Sequence, residues 1–211
     1  MPRQNRVTPY GEIVATPERG TFLGNRGILH DDAGNVVRHA RNRAWIICVL
    51  SVEGRRRQIM RPGTWTELFF LDEATAMAAG HRPCAECRHR DYVAFRALWR
   101  SAHGEPGAMA ADIDAALARQ RPRPPDLRPR PPDLRPRRTV DAASLPDGVM
   151  VEWQQRPWLL HGGRLLAWAP GGYERAAALP AEPVAVVTPE GTVRVLAAGY
   201  RPVLHPSAER Q

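Results

Sequence analysis

Lysine is missing from this chain; all 30 of its basic residues are arginine. Cysteine is scarce, with three residues in 211. No apolar run approaches the roughly 20 residues of a membrane-spanning helix, which excludes a helical membrane protein. The longest apolar block, AWIICVLSV at 44–52, reads as a buried strand. The opening MPRQNRVTPYGE has no apolar centre of the kind an export signal needs, so the expected compartment is the cytoplasm. An odd cysteine count in a reducing compartment argues against a disulfide framework. Several catalytic signatures are also missing: a glycine-rich phosphate loop, H-E-x-x-H and G-x-S-x-G.

What is present is basic and rich in Pro, Gly and Ala. The net charge is +8, and residues 121–138 alone carry seven Arg against two Asp. The remainder is therefore only mildly basic. Residues 121–134 repeat RPRPPDL twice, and that density of proline stops helix and sheet alike. Polyproline II is the expected state, with a reach of roughly 55 Å at ~3.1 Å per residue. This segment reads as a stiff linker, or as an arginine arm or docking site for a proline-binding module. It divides the chain into an α+β part at 1–103, a short helix with the linker at 104–144, and a small β-rich part at 145–211.

In the first part, TFLGNRGILH and NVVRHA flank the turn DDAGN, which predicts a hairpin. AWIICVLSV and QIM around EGRRR predict a second. WTELFFL predicts a strand, and Asp72 can cap a short helix ended by Gly80. A longer helix follows, with Tyr92, Phe95, Leu98 and Trp99 on one face. The segment 108–120 predicts an amphipathic helix with Met109, Ile113, Ala116 and Leu117 aligned. In the last part, GVMVEW, RPWLLH and GRLLAWA predict an antiparallel meander, in which Trp153, Trp158 and Trp168 pack the core. PVAVVTP predicts another strand, and EGTVRVLAAG a helix ended by Gly199.

The chemistry-bearing stretch is AAGHRPCAECRH at 78–89, and half of it recurs as AAGYRP at 197–202. Glycine takes the left-handed cap conformation and proline blocks continuation, so the shared half is a helix stop. The first copy alone adds Cys84 and Cys87. A C-x2-C turn places two thiolates on one side, as tetrahedral zinc requires. Cys48 and His30 are the best partners, with His39, His81 and His89 behind them. Cys48 sits in an apolar strand, where free cysteines are often just packed. His30 lies beside Asp31 and Asp32, and a carboxylate there can orient it. His39 and His89 neighbour arginines and read as solvated, and His81 matches Tyr200 and reads as packing. Thioredoxin-like redox use ranks below metal, because a helix and not a strand precedes the motif.

FFLDEATAMAAGHRPCAEC, within residues 68–87, resembles the end of the Ada-type metal-binding domain, the zinc module of methylphosphotriester repair proteins. It is also similar to related zinc knuckles attached to some nucleases. The resemblance implies that Cys84 and Cys87 are the second zinc-ligand pair of a DNA-associated module. The first pair of that family, Cys-x3-Cys, includes the methyl acceptor. It has no counterpart here, since only Cys48 lies upstream.

The expected protein is α+β, zinc-binding and nucleic-acid-associated, without catalysis of its own. In this reading Cys48, Cys84, Cys87 and His30 hold the metal, while Arg82 and the run Arg55, Arg56 and Arg57 face phosphate. One alternative is a metal-free interaction protein with packed cysteines. Another is a zinc-dependent hydrolase or nuclease with an open metal position.

Overall fold

Short β-rich runs broken by Gly and Pro build the first half of the chain into one sheet. The computed structural model describes residues 1–50, 58–121 and 137–211. The first strands are β1 (Gln4–Val7), β2 (Ile13–Ala15), β3 (Phe22–Asn25), β4 (Ile46–Cys48), β5 (Leu68–Phe70) and β6 (Arg82–Pro83). They lie in the order β2-β1-β5-β3-β4-β6. The β1/β5 and β4/β6 pairs are parallel and the rest antiparallel.

One expected hairpin is replaced by longer-range pairing, and the turn of the second, EGRRR at 53–57, lies outside the described residues. The turn at 31–35 does close, with Asp31 N donating to Asn35 O at 3.0 Å. Its arms, however, share only one bridge, His30 to Val36. β3 pairs instead with β4 and β5. It is free to do so because Gly24 leaves room for the Phe70 ring, where any side chain would collide. β4 likewise pairs with β3 and β6, and Ile59 and Met60 form a turn. Arg55, Arg56, Arg57 and most of the proline repeat lie outside the described residues.

Among the described residues four helices form: α1 (Glu73–Ala78), α2 (His89–His103), α3 (Ala110–Gln120) and α4 (Glu190–Ala197). Asp72 caps α1 by accepting from Thr75 N at 2.9 Å. Gly80, at φ +86°, ends it with two bonds, Gly80 N to Met77 O and His81 N to Ala76 O. This is the Schellman arrangement, in which otherwise orphaned carbonyls find donors. α2 buries Tyr92, Phe95 and Trp99, and α3 buries Ile113 and Leu117. Gly191 on α4 lets that helix approach α2 closely; a Cβ there would lie 2.5 Å from the Trp99 ring. Truncating Trp99, 1 % exposed, would cost about 3–5 kcal/mol.

The second half is a meander: β7 (Thr139–Val140), β8 (Met150–Trp153), β9 (Arg156–His161), β10 (Arg164–Ala169), β11 (Gly172–Ala178) and β12 (Val184–Val186). Their order is β11-β10-β9-β8-β12-β7. Gln154 and Gln155 turn β8 into β9 at φ 50° and 58°, and Gly162 and Gly163 turn β9 into β10 at 57° and 72°. Paired positive φ values match the right-handed twist of the flanking strands. β11 carries Ala-rich sequence with little β-propensity, and its pairing with β10 overrides that. One apolar cluster runs from Val7, Ile47 and Phe70 through Phe95 and Trp99 to Val151, Trp158 and Leu196, across both sheets. Among the described residues no helix is long and apolar enough to cross a membrane.

Candidate metal centre

The three cysteines come from β4 and from the turn that follows β6, two strands far apart in sequence and adjacent in the sheet. β4 and β6 run parallel, with Ile46 opposite Arg82 and Ile47 opposite Pro83. Arg82 N donates to Trp45 O at 3.1 Å, and Cys84 N to Ile47 O at 2.9 Å. This register carries Cys48 and Cys84 off the same end of the ladder. The chain then turns, Arg88 N reaching back to Cys84 O at 3.2 Å, and enters α2. That turn returns Cys87 to the other two. The ligand atoms of Cys48, Cys84 and Cys87 all lie within 4.8 Å of one another. Cys84 is buried and the other two are half-buried, so the group sits just under the surface.

The turn also supplies electrostatic support. Glu86 N lies 3.4 Å from the Cys84 sulfur. Burial raises the Cys84 thiol, but the backbone N–H groups of Cys87 and Glu86 and the neighbouring cysteines outweigh it and leave the thiol below its ordinary value. Cys48 moves the other way, raised by burial and by the negative charge of Cys84 and Cys87. Cys87 is also raised, chiefly by burial, although the Val49 N–H opposes this. Three thiols this close cannot all ionise on their own, because each thiolate repels the next. A cation among them removes that conflict, and thiolate is the form that binds metal. The three cysteines can thus hold a metal ion.

The other expected site residues lie elsewhere. His30 is 5 % exposed and outside the cysteine cluster. Its Nδ1 meets the Thr66 hydroxyl at 2.6 Å and its Nε2 donates to Arg61 O at 3.2 Å, so both nitrogens are engaged. Arg82, expected to face phosphate, lies inside the fold. Its guanidinium is buried and makes a forked pair with Asp114, at 2.9 and 2.7 Å. Arg82 is turned inward because α3 brings Asp114 to β6. His89 Nδ1 lies 3.0 Å from Ala85 O. His81 is fully buried against Trp45 and Phe70. His39 lies against Trp45 and Arg26.

Sequence reasoning passed over Glu73, Arg26 and Arg121. Glu73 lies in the first turn of α1. It is fully buried and accepts from Tyr200 Oη at 2.8 Å and Val203 N at 2.9 Å, with Arg88 at 2.8 Å. No local pattern marks a carboxylate whose partners lie 127 and 130 residues away. Comparison with protein-family models, curated proteins and solved structures finds no match to this chain.

Proposed function

We propose that this chain is a zinc-binding protein in which the ion joins Cys48 on β4 to the Cys84–Cys87 turn and so pins the start of α2. The observation that carries the reading is the convergence of three thiols from two separate segments. All-thiolate donor sets favour zinc, copper(I) or iron–sulfur centres, and zinc accepts a tetrahedron without redox chemistry. Zn–S bonds of ~2.3 Å put tetrahedral sulfurs ~3.8 Å apart, which fits inside the observed spread. Metal analysis of purified protein tests this. About one zinc per chain is expected, falling to near zero in Cys84→Ser. A wild-type chain that folds fully with less than about 0.2 zinc overturns it.

A second reading, association with nucleic acid, moves from Arg82 to a different surface. Arg3, Arg6 and Arg19 line an open groove of about 720 Å³ with Leu50, Ile59 and Phe69. No carboxylate among the described residues lines it. Arg6 is pushed below its ordinary value by burial and by Arg19, a like-charge crowding that an anion would relieve. Leu50 and Ile59 are 48 % and 37 % exposed, which gives the groove an apolar floor for bases. Gel retardation of a short single-stranded DNA at low salt is the test. Arg6→Gln combined with Arg19→Gln should weaken binding at least about tenfold and flatten the salt dependence by ~2 charges. Absence of retardation by the wild-type chain removes this reading and leaves the zinc reading untouched.

A further inference from the structure

Two arginines near the metal centre, Arg26 fully buried and Arg121 half-buried, have no counter-charge among the described residues. Arg26, just after β3, is 0 % exposed. A guanidinium has five N–H donors. Here Nε donates to His81 Nε2 at 3.2 Å, and Nη1 donates to Gly11 O at 3.0 Å and lies 2.9 Å from His39 Nε2. Nη2 is buried without any partner. Arg121, at the C-terminal end of α3, donates from Nε to Gly80 O at 3.0 Å. Its Nη2 is likewise buried and unpartnered. Both guanidiniums lie over Trp45, 3.9 and 4.1 Å from the ring centroid. Their central carbons are therefore at most about 8 Å apart.

The surroundings do not neutralise this charge. Among the described residues neither arginine forms an ion pair. Asp114, the acid felt by Arg121, is held in the fork of Arg82. The two histidines are neutral. His81 Nδ1 donates to Ala76 O at 3.1 Å, which leaves Nε2 as an acceptor for Arg26. His39 is pushed down to about 3 by burial, then by Arg26 and Arg121. Stacking on Trp45 accounts for the contact with the ring, but it leaves the two Nη2 groups without acceptors. A buried, unpaired cation is among the most costly arrangements a fold can contain.

We infer that Arg26 and Arg121 form a binding site for a small oxyanion of the phosphate class, which accepts from the Nη2 group of each. One phosphate group, at ~2.8 Å from a nitrogen on either side, spans the gap between them. Guanidinium forks suit such an ion, and Trp45, His39 and His81 wall the site. The inference does not depend on zinc, but the two sites share a scaffold. Trp45 and His81 stand at one end of the β4/β6 ladder, and Cys48 and Cys84 stand at the other, three residues on. That is roughly 10 Å along a strand.

The test uses the full chain, with zinc content followed throughout. Sodium phosphate is titrated against sodium chloride at matched ionic strength, and binding is read by calorimetry and thermal melting. A saturable rise of several degrees is expected up to about 50 mM phosphate, with a much smaller rise in acetate. Adenosine 5′-monophosphate replaces phosphate in a third arm, which separates a free ion from a terminal phosphate group. Arg121→Gln, checked for native circular dichroism and unchanged zinc, should weaken phosphate binding at least about tenfold. Arg121→Lys should recover part of it. A flat wild-type titration overturns the inference, as does an Arg121→Gln chain that binds as tightly as wild type. It is also overturned if Asp126→Asn or Asp133→Asn lowers the melting temperature as far as Arg121→Gln does, since an intrachain carboxylate would then be the partner.

Discussion

The chain ends two helices with the same six residues but one, AAGHRP after α1 and AAGYRP after α4, and the two ends lead to different structures. Locally they are the same. Gly199, at φ +110°, donates to Leu196 O, and Tyr200 N donates to Val195 O, which repeats the bonds at Gly80 and His81. What differs is the neighbour waiting for the emerging chain. After Gly80 the free edge of β4 captures Arg82 and Pro83 and delivers Cys84 into a metal-competent cluster. After Gly199 no strand edge takes over. Instead Val203 N and His205 N bond the carboxylates of Glu73 and Asp72, at 2.9 and 3.2 Å. A helix stop thus fixes direction, and the tertiary partner decides what the next residues do.

Breaking each turn at its equivalent position should show the asymmetry most strongly. If the proposed ion binds, Cys84→Ser should remove a ligand and with it the ion's contribution to folding, which makes this the largest loss. Val203→Ser, at a site 54 % exposed, should stay within about 0.5 kcal/mol. Chemical denaturation of the two variants measures both.

Acid and alkali should separate the rings. His81 is held well below 6.5 by burial and by Arg26 and Arg121, and His39 falls to about 3. The unfolded chain then binds more protons than the native one, so stability falls as pH drops below about 6.5. The slope is up to ~1.4 kcal/mol per pH unit for each histidine. Tyr200 is shifted the opposite way, raised above 10.0 by burial and by Glu73. There the unfolded chain loses its proton first, so stability falls as pH rises above about 10. His81→Phe should reduce the acid slope, which His39 shares, and Tyr200→Phe the alkaline one, which buried Tyr173 shares. Equal effects on both limbs would contradict the assignment.

The smallest asymmetry should come from the glycines. Both take positive φ, so alanine costs about 1 kcal/mol at either position. A Cβ at Gly80 would also lie 2.5 Å from Arg121 Cγ, whereas nothing lies within 4 Å of one at Gly199. Gly80→Ala should therefore cost about 2–3 kcal/mol and Gly199→Ala about 1. Thermal melts with equal costs would mean that Arg121 moves aside freely.

Features carried by nearby residues were legible in the sequence. Asp72, Gly80 and Gly199 announce helix ends because caps act over four residues. The two-residue turns at Gln154–Gln155 and Gly162–Gly163 follow from the alternating runs around them. Cys84 and Cys87 carry their own spacing. Cys48 was a fair partner, since a strand can bring it alongside. The choice between His30 and other ligands was not readable, because Thr66 and the Arg61 carbonyl claim that ring from more than 30 residues away. Arg82 misled for the same reason, since Asp114 is supplied by a helix 32 residues on. The β3–β5 pairing depends on a space left by Gly24 under Phe70, which no periodicity reveals.

The bonds that Asp72 and Glu73 make to residues 200–205 also govern when this protein can finish folding. Two carboxylates at the start of α1 are fully buried, and their acceptor oxygens are filled by Tyr200, Val203 and His205. During synthesis α1 emerges more than 120 residues before those partners exist. Until residues 200–205 leave the ribosome, the helix that aims the cysteine turn carries two acids with incomplete shells. The early half of the chain cannot complete these hydrogen bonds until the late half is present.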